Sequence, residues 1–108
     1  MTLYIANREW TIEKKIPTAP ALRVDGELRI GCCWIPEGRI YISDAMERSM
    51  TREVTIHELT HALIASTQIT TPDTYTEEDL CELCAKWSGD LVSWADDVMA
   101  ELFPEETA

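Results

Sequence analysis

The hydrophobic period changes once along this chain, near Ser43, and that change limits the folds open to it. Before Ser43, apolar residues alternate with polar ones, as in strands with one buried face. "EWTIEKKI" (9–16) sets Trp10, Ile12 and Lys14 on one side. "ALRV" (21–24) and "ELRIGCCWI" (27–35) flank Asp25-Gly26, a dipeptide suited to a two-residue hairpin turn because both positions need positive φ. "PEG" (36–38) marks another turn, and "RIYIS" (39–43) puts Ile40 and Ile42 on one face and Tyr41 on the other.

After Ser43 the period is that of a helix. "SDAMERSM" links the two regimes, with Asp44 and Glu47 spaced as a capping box. Thr51 is placed to cap a helix that runs to about Ser66, with Glu53 in its first turn and Ile56, Leu59 and Leu63 on its apolar face. "TQITTPDTY" is rich in turn formers, with Pro72-Asp73 at its centre. Thr76 then precedes Glu77, Glu78 and Asp79, a cap followed by acids that suit the positive end of a helix. That helix is expected over about 77–102, with a stripe of Leu80, Cys84, Trp87, Leu91, Trp94 and Val98, and Pro104 ends it. The expectation is one α+β domain over 1–108: a small, mostly antiparallel sheet of three or four strands packed on two helices.

Charge and cysteine usage narrow the function. The formal net charge is −11, with 9 Lys and Arg against 20 Asp and Glu. Such a surface repels nucleic-acid phosphates and anionic lipid, so neither is an expected direct partner. No apolar run approaches the roughly 18–20 residues a membrane span needs. "MTLYIANREWTIEKK" lacks a basic segment followed by an apolar one, so no export signal is expected and the expected compartment is the cytoplasm. Cys32, Cys33, Cys81 and Cys84 are then expected to be reduced, small and mostly packed. The adjacent Cys32-Cys33 is a poor zinc knuckle, because neighbouring strand residues point to opposite faces.

The chemistry sits in "REVTIHELTHALIAS" (52–66), which holds both histidines of the chain. On a helix, His57 and His61 lie one turn apart on the same face and can point at one ion. Zinc takes imidazole nitrogens, and a catalytic site keeps a position open for water. Glu58, directly after the first histidine, sits beside that position and can accept a proton from the water, which is the logic of H-E-x-x-H. The expected cofactor is therefore Zn2+, with Glu58 as general base.

A third ligand is required, and no third histidine exists. A carboxylate is expected from the acidic start of the last helix, where Glu77, Glu78, Asp79 and Glu82 stand. At about 100° per residue, Glu78, Glu82, Ala85 and Gly89 share a face opposite the apolar stripe. Ala85 and Gly89 are small, so this face is expected to approach another helix closely. Glu78 is the first choice as ligand and Glu77 the competitor, with Glu82 orienting a histidine N–H.

"VTIHELTHALI" followed by "TEEDLCELCAKWSGDLV" resembles the ImmA/IrrE-type zinc metallopeptidases, especially minimal versions carried by phages and mobile elements. In that family H-E-x-x-H is followed by a helix with E-x-x-A-[ND]-x-x-A, and residues 78–85 fit the frame with Cys81 at the small-residue position and Glu82 at the Asn/Asp position. "GRIYIS" resembles the family's strand ahead of the site helix. The resemblance spans about residues 26–95. It implies a minimal zincin-like fold, zinc on His57, His61 and Glu78, Glu58 as base, and a protein or peptide substrate. The link from His61 to Glu78 is short and the Asn/Asp position carries Glu82; no DNA-binding module is expected.

Peptide hydrolysis also needs a donor for the developing oxyanion, and Tyr75 and Tyr41 are the candidates. An edge strand at Arg39–Ser43 is expected to hold an extended substrate. The alternative function is an acidic zinc-binding protein without catalysis that binds a basic host partner. A further alternative is a thiol module centred on Cys81 and Cys84.

Overall fold

Alternation in the first part of the chain produces a four-stranded sheet, and the 3.6-residue period in the second produces two long helices laid on it. The structure, a computed structural model, describes residues 1–67 and 76–107. Its strands are β1 (Thr2–Ile5), β2 (Arg8–Lys15), β3 (Arg23–Val24), β4 (Glu27–Leu28), β5 (Gly31–Trp34) and β6 (Arg39–Ser43), and its helices are α1 (Arg48–Thr67), α2 (Glu77–Leu102) and the short α3 (Pro104–Thr107). The main sheet has the order β1-β2-β6-β5, while β3 and β4 form a separate small hairpin. β1 with β2, and β5 with β6, are antiparallel; β2 with β6 is parallel. The fold is α+β, as the sequence predicts.

Turn chemistry sets the hairpins. Asp25 and Gly26 both have positive φ, at 51° and 80°, as the expected tight turn requires. Ala6 and Asn7, at 50° and 68°, make a like turn between β1 and β2. Alanine carries no signal for that conformation, so β1 is not individually legible in the sequence.

Trp10 and Ile12 of β2 and Ile40 and Ile42 of β6 share one face of the sheet and are fully buried there. They meet Leu59, Ala62 and Leu63 of α1, and Leu83, Ala95, Val98 and Met99 of α2, with Phe103 closing one end. The indole N–H of Trp10 donates to Ser66 Oγ at 2.8 Å, tying the last turn of α1 to β2. Arg52 of α1 donates to Asp96 of α2 at 3.0 Å. On the opposite face Tyr4 of β1 is left exposed, while the 3-10 turn at Pro20–Leu22 packs against β6 and β5. There the Ala21 carbonyl accepts from Cys32 Sγ and Trp34 Nε1, each at 3.2 Å.

Three expectations change. α1 begins at Arg48, so Thr51 is not its cap; it is fully buried inside the helix and donates to the Glu47 carbonyl at 2.8 Å. Of the expected stripe on α2 only Val98 is buried; Trp87, Leu91 and Trp94 are half-buried, and Leu80, 49% exposed, and Cys84 are exposed. The buried residues of α2 are Leu83, Ala95, Val98 and Met99. Ala85 and Gly89 are exposed as well, and a side chain at Gly89 would meet nothing within 4 Å. The small-residue face of α2 therefore does not abut α1.

The expected cap of α2 is present. Thr76 accepts from the Asp79 backbone N–H at 3.1 Å, and Asp79 accepts from the Thr76 backbone N–H at 3.2 Å, a reciprocal capping box.

Candidate metal centre

α1 crosses the sheet beside the edge strand β5, and the histidine pair stands at that crossing. Threonines make the crossing tolerable for a polar helix. Thr55 is fully buried, and its hydroxyl donates to the Thr51 carbonyl at 2.7 Å, so no polar atom is stranded under the helix. One turn later Glu58 is buried, while His57 and His61 on either side of it are exposed.

A missing side chain permits this arrangement. Gly31 opens β5 directly under α1. A Cβ there would sit 2.5 Å from Val54 Cγ1, 3.3 Å from Glu58 Cγ and 3.5 Å from Glu58 Oε2. The glycine lets the Glu58 carboxylate lie against the strand backbone. A glycine inside a strand pattern is a known sign of close backbone approach, and it was the available signal for this contact.

His57 Nε2 and His61 Nε2 are 3.3 Å apart, with the rings near perpendicular at 74°. Two nitrogens each about 2.0–2.1 Å from one tetrahedral ion lie about 3.3–3.4 Å apart, so the pair already has the separation of two ligands on one zinc. The ligand atoms of His57, Glu58 and His61 all lie within 4.8 Å of one another, and this group can hold a metal ion. Although its edge is exposed, His61 is partly desolvated by its surroundings, and this, followed by the neighbouring His57, lowers its pKa, which favours the neutral imidazole that binds metal. Burial raises the Glu58 pKa, and the His57 charge offsets part of that rise.

Two cavities meet at this point. One, of about 380 Å³, runs along β5 and is lined by Cys33, Trp34, Ile35 and Val24 together with His57, Glu58 and His61. The other, of about 340 Å³, lies toward the start of α1 and is lined by Ile30, Met50, Glu53 and Val54 together with His57 and Glu58. Gly31 borders both. Ser43 N–H donates to the Ile30 carbonyl at 3.0 Å, which makes Ile30 and Ser43 a hydrogen-bonded pair. By the alternation of antiparallel pairing, Gly31 and Cys33 turn their backbone N–H and C=O groups to the open side of β5.

No family model matches the chain, and neither a curated protein nor a solved structure matches it. The reading of the site therefore rests on its own geometry.

The other expected site residues are placed as follows. Glu78 and Glu82 are exposed on the first turns of α2, as is Glu77, and none of the three belongs to the His57–Glu58–His61 group. Tyr75 lies outside the described residues. Tyr41 sits on the sheet face away from α1, paired with Cys32 and with Lys15 Nζ 5.5 Å from its ring centre, so it cannot serve as an oxyanion donor. Arg39–Ser43 is not an edge: β6 pairs with β2 on one side and β5 on the other, the sheet's edges are β1 and β5, and β5 is the one beside the histidine pair. The cysteines are all free, but only Cys32 is buried; Cys33 is half-buried, and Cys81 and Cys84 are exposed. They do not form a four-cysteine cluster among the described residues.

Proposed function

We propose that the chain is a zinc-dependent metallopeptidase of the H-E-x-x-H type, similar to the ImmA/IrrE-type enzymes, acting in the cytoplasm on a regulatory protein of a phage or mobile element. The observation that carries this reading is the 3.3 Å separation of the two histidine Nε2 atoms beside a buried carboxylate. His57 and His61 would hold the ion; Glu78, the third ligand that the resemblance implies, and Glu82, which would orient a histidine N–H, stand apart from the pair on the exposed first turns of α2 and would have to be brought to it. A bound zinc supplies Lewis acidity toward a water and toward the substrate carbonyl oxygen.

The chain's own residues supply the rest. Glu58 takes a proton from the attacking water and returns it to the leaving amine. Its contact with β5 fixes its position beside the histidine pair. The outward backbone groups of Gly31 and Cys33 hold an extended peptide by strand addition, which carries its carbonyl across His57 and Glu58. No helix among the described residues is long and apolar enough to cross a membrane.

The test is Glu58→Gln. This change should leave metal content intact and reduce peptide hydrolysis by about a hundredfold or more, the usual contribution of a positioned base. A non-catalytic acidic protein that binds a basic partner, the reading favoured by the net charge of −11, would keep its binding unchanged in the same variant. Replacing Cys81 and Cys84 by serine should leave hydrolysis unchanged, whereas a thiol module would lose its function.

A further inference from the structure

Both cavities at the histidine pair are bordered by His57 and Glu58, and Arg29 lines both of them as well. Among the described residues lining either cavity it is the only lysine or arginine, and the carboxylates there are Glu53 and Glu58. The backbone of Arg29 is pinned. Its N–H donates to the carbonyl of fully buried Leu22 at 2.8 Å, and the next carbonyl, that of Ile30, accepts from Ser43 N–H at 3.0 Å. The side chain is not pinned. It is 51% exposed, and its ion-pair partner Glu27, at 3.5 Å, is 73% exposed. An exposed pair of this kind is worth little, so the guanidinium can leave Glu27 for a bound substrate at small cost. The stem is thus fixed in the wall shared by the two cavities, and the charged head is available to whatever lies in them.

Resting on the peptidase reading, we infer that Arg29 is the donor to the oxyanion, the role that Tyr41 cannot fill. As Glu58 takes a proton from the water, the water oxygen bonds to the substrate carbonyl carbon and the C=O π pair moves onto the carbonyl oxygen. When the C–N bond breaks, that pair returns to the carbonyl and the leaving amine takes the proton from Glu58. The negative oxygen therefore forms beside cavities that already hold the carboxylates of Glu53 and Glu58, on a chain of net charge −11. The local field opposes it unless a cation stands near. A guanidinium keeps its charge at any working pH and presents its N–H donors in a fixed fork. A donor to a charge that is absent from the ground state lowers the barrier without tightening substrate binding.

The experiment compares the zinc-loaded full chain with Arg29→Met and Arg29→Lys on a peptide selected as cleaved from an unstructured library. Zinc content and circular dichroism are measured on each form. Arg29→Met should lower kcat about a hundredfold and leave KM within about threefold, and Arg29→Lys should recover part of the loss. A phosphinic peptide, whose tetrahedral anion copies the transition state, should lose affinity for Arg29→Met in proportion to kcat/KM. The uncut substrate should bind Glu58→Gln equally well with and without Arg29. Glu27→Gln removes the ion pair, keeps the guanidinium and should hydrolyse as the wild type does. An unchanged kcat in Arg29→Met overturns the inference while leaving the peptidase intact. So does a loss confined to KM and to peptides with an acidic side chain or a free C-terminal carboxylate, which makes Arg29 a carboxylate anchor. An equal loss in Glu27→Gln assigns the effect to the ion pair and overturns the inference too. A zinc-loaded, folded chain that cuts no peptide overturns the peptidase reading and this inference with it.

Discussion

Gly31→Ala adds one methyl group where the strand meets the helix, and its cost can be worked from the contacts. The new Cβ would lie 2.5 Å from Val54 Cγ1, well inside van der Waals contact, and 3.3 Å from Glu58 Cγ. Val54 is buried and β-branched, so it has little freedom to turn away. Either Val54 leaves its rotamer or α1 shifts off β5, and overpacking of this kind costs about 1–3 kcal/mol. In the absence of the clash, alanine would stabilise by about 0.4–1 kcal/mol through the unfolded chain, so the clash is partly masked. The net loss should lower Tm by several degrees, at about 4–8 °C per kcal/mol for a domain of this size. Urea denaturation of Gly31→Ala, Val54→Ala and the double variant separates the terms. Val54→Ala opens the space that the new methyl needs, so the double variant should be more stable than the sum of the single effects, by about 1 kcal/mol or more. Gly31→Ala as stable as the wild type, or strictly additive single effects, would refute the claim that this glycine sets the approach of Glu58 to the strand.

Other consequences follow from the same contacts. Without metal, the raised Glu58 pKa penalises folding once the carboxylate ionises, so this contribution to stability is present below its unfolded value and lost as pH rises through the folded one. Glu58→Gln should therefore gain on the wild type as pH rises from about 4 to neutrality, measured by urea titration of the apo forms; a constant difference would contradict the burial of the carboxylate. His61 acts in the opposite sense: its lowered pKa gives stability that is present above its unfolded value and lost as pH falls through the folded one, and His61→Asn should remove that acid-side loss. Ser66→Ala leaves the Trp10 indole N–H without its partner and should cost about 1–3 kcal/mol, with a shift in tryptophan fluorescence. Under native conditions Cys81 and Cys84 should react quickly with a thiol reagent. Cys33, whose pKa burial and the Glu58 charge push up to about 12, and buried Cys32 should react only on unfolding.

Much of the architecture was legible because periodicity reports it directly. The faces of β2 and β6, the Asp25-Gly26 turn and the Thr76 cap each depend on local chemistry that the residues state. The order of strands does not. β2 and β6 are parallel neighbours separated by more than twenty residues, and nothing in "RIYIS" distinguishes a central strand from an edge. That is why substrate pairing was expected on β6 and belongs instead with β5. The His57–Glu58–His61 cluster was legible because helical spacing alone brings it together. Partners from other elements were not. Assigning Glu78 by the small face of α2 required that face to meet α1, and helical angles cannot say which side of a helix its neighbours occupy. The close approach of α1 to β5 is signalled locally only by Gly31, a glycine inside an apolar run.

Metal content tests the central claim most directly. The wild type, His57→Ala, His61→Ala and Glu78→Ala would be purified without a histidine tag, equilibrated with zinc, desalted and measured by elemental analysis. The account predicts about one zinc per chain in the wild type, lost in both histidine variants; loss in Glu78→Ala as well would make that carboxylate the third ligand. Zinc retained in Glu78→Ala alone would keep the centre and reassign its third ligand. A wild type that holds no zinc after reconstitution would contradict the account, and the 3.3 Å histidine pair would then be a hydrogen bond between two imidazoles and nothing more.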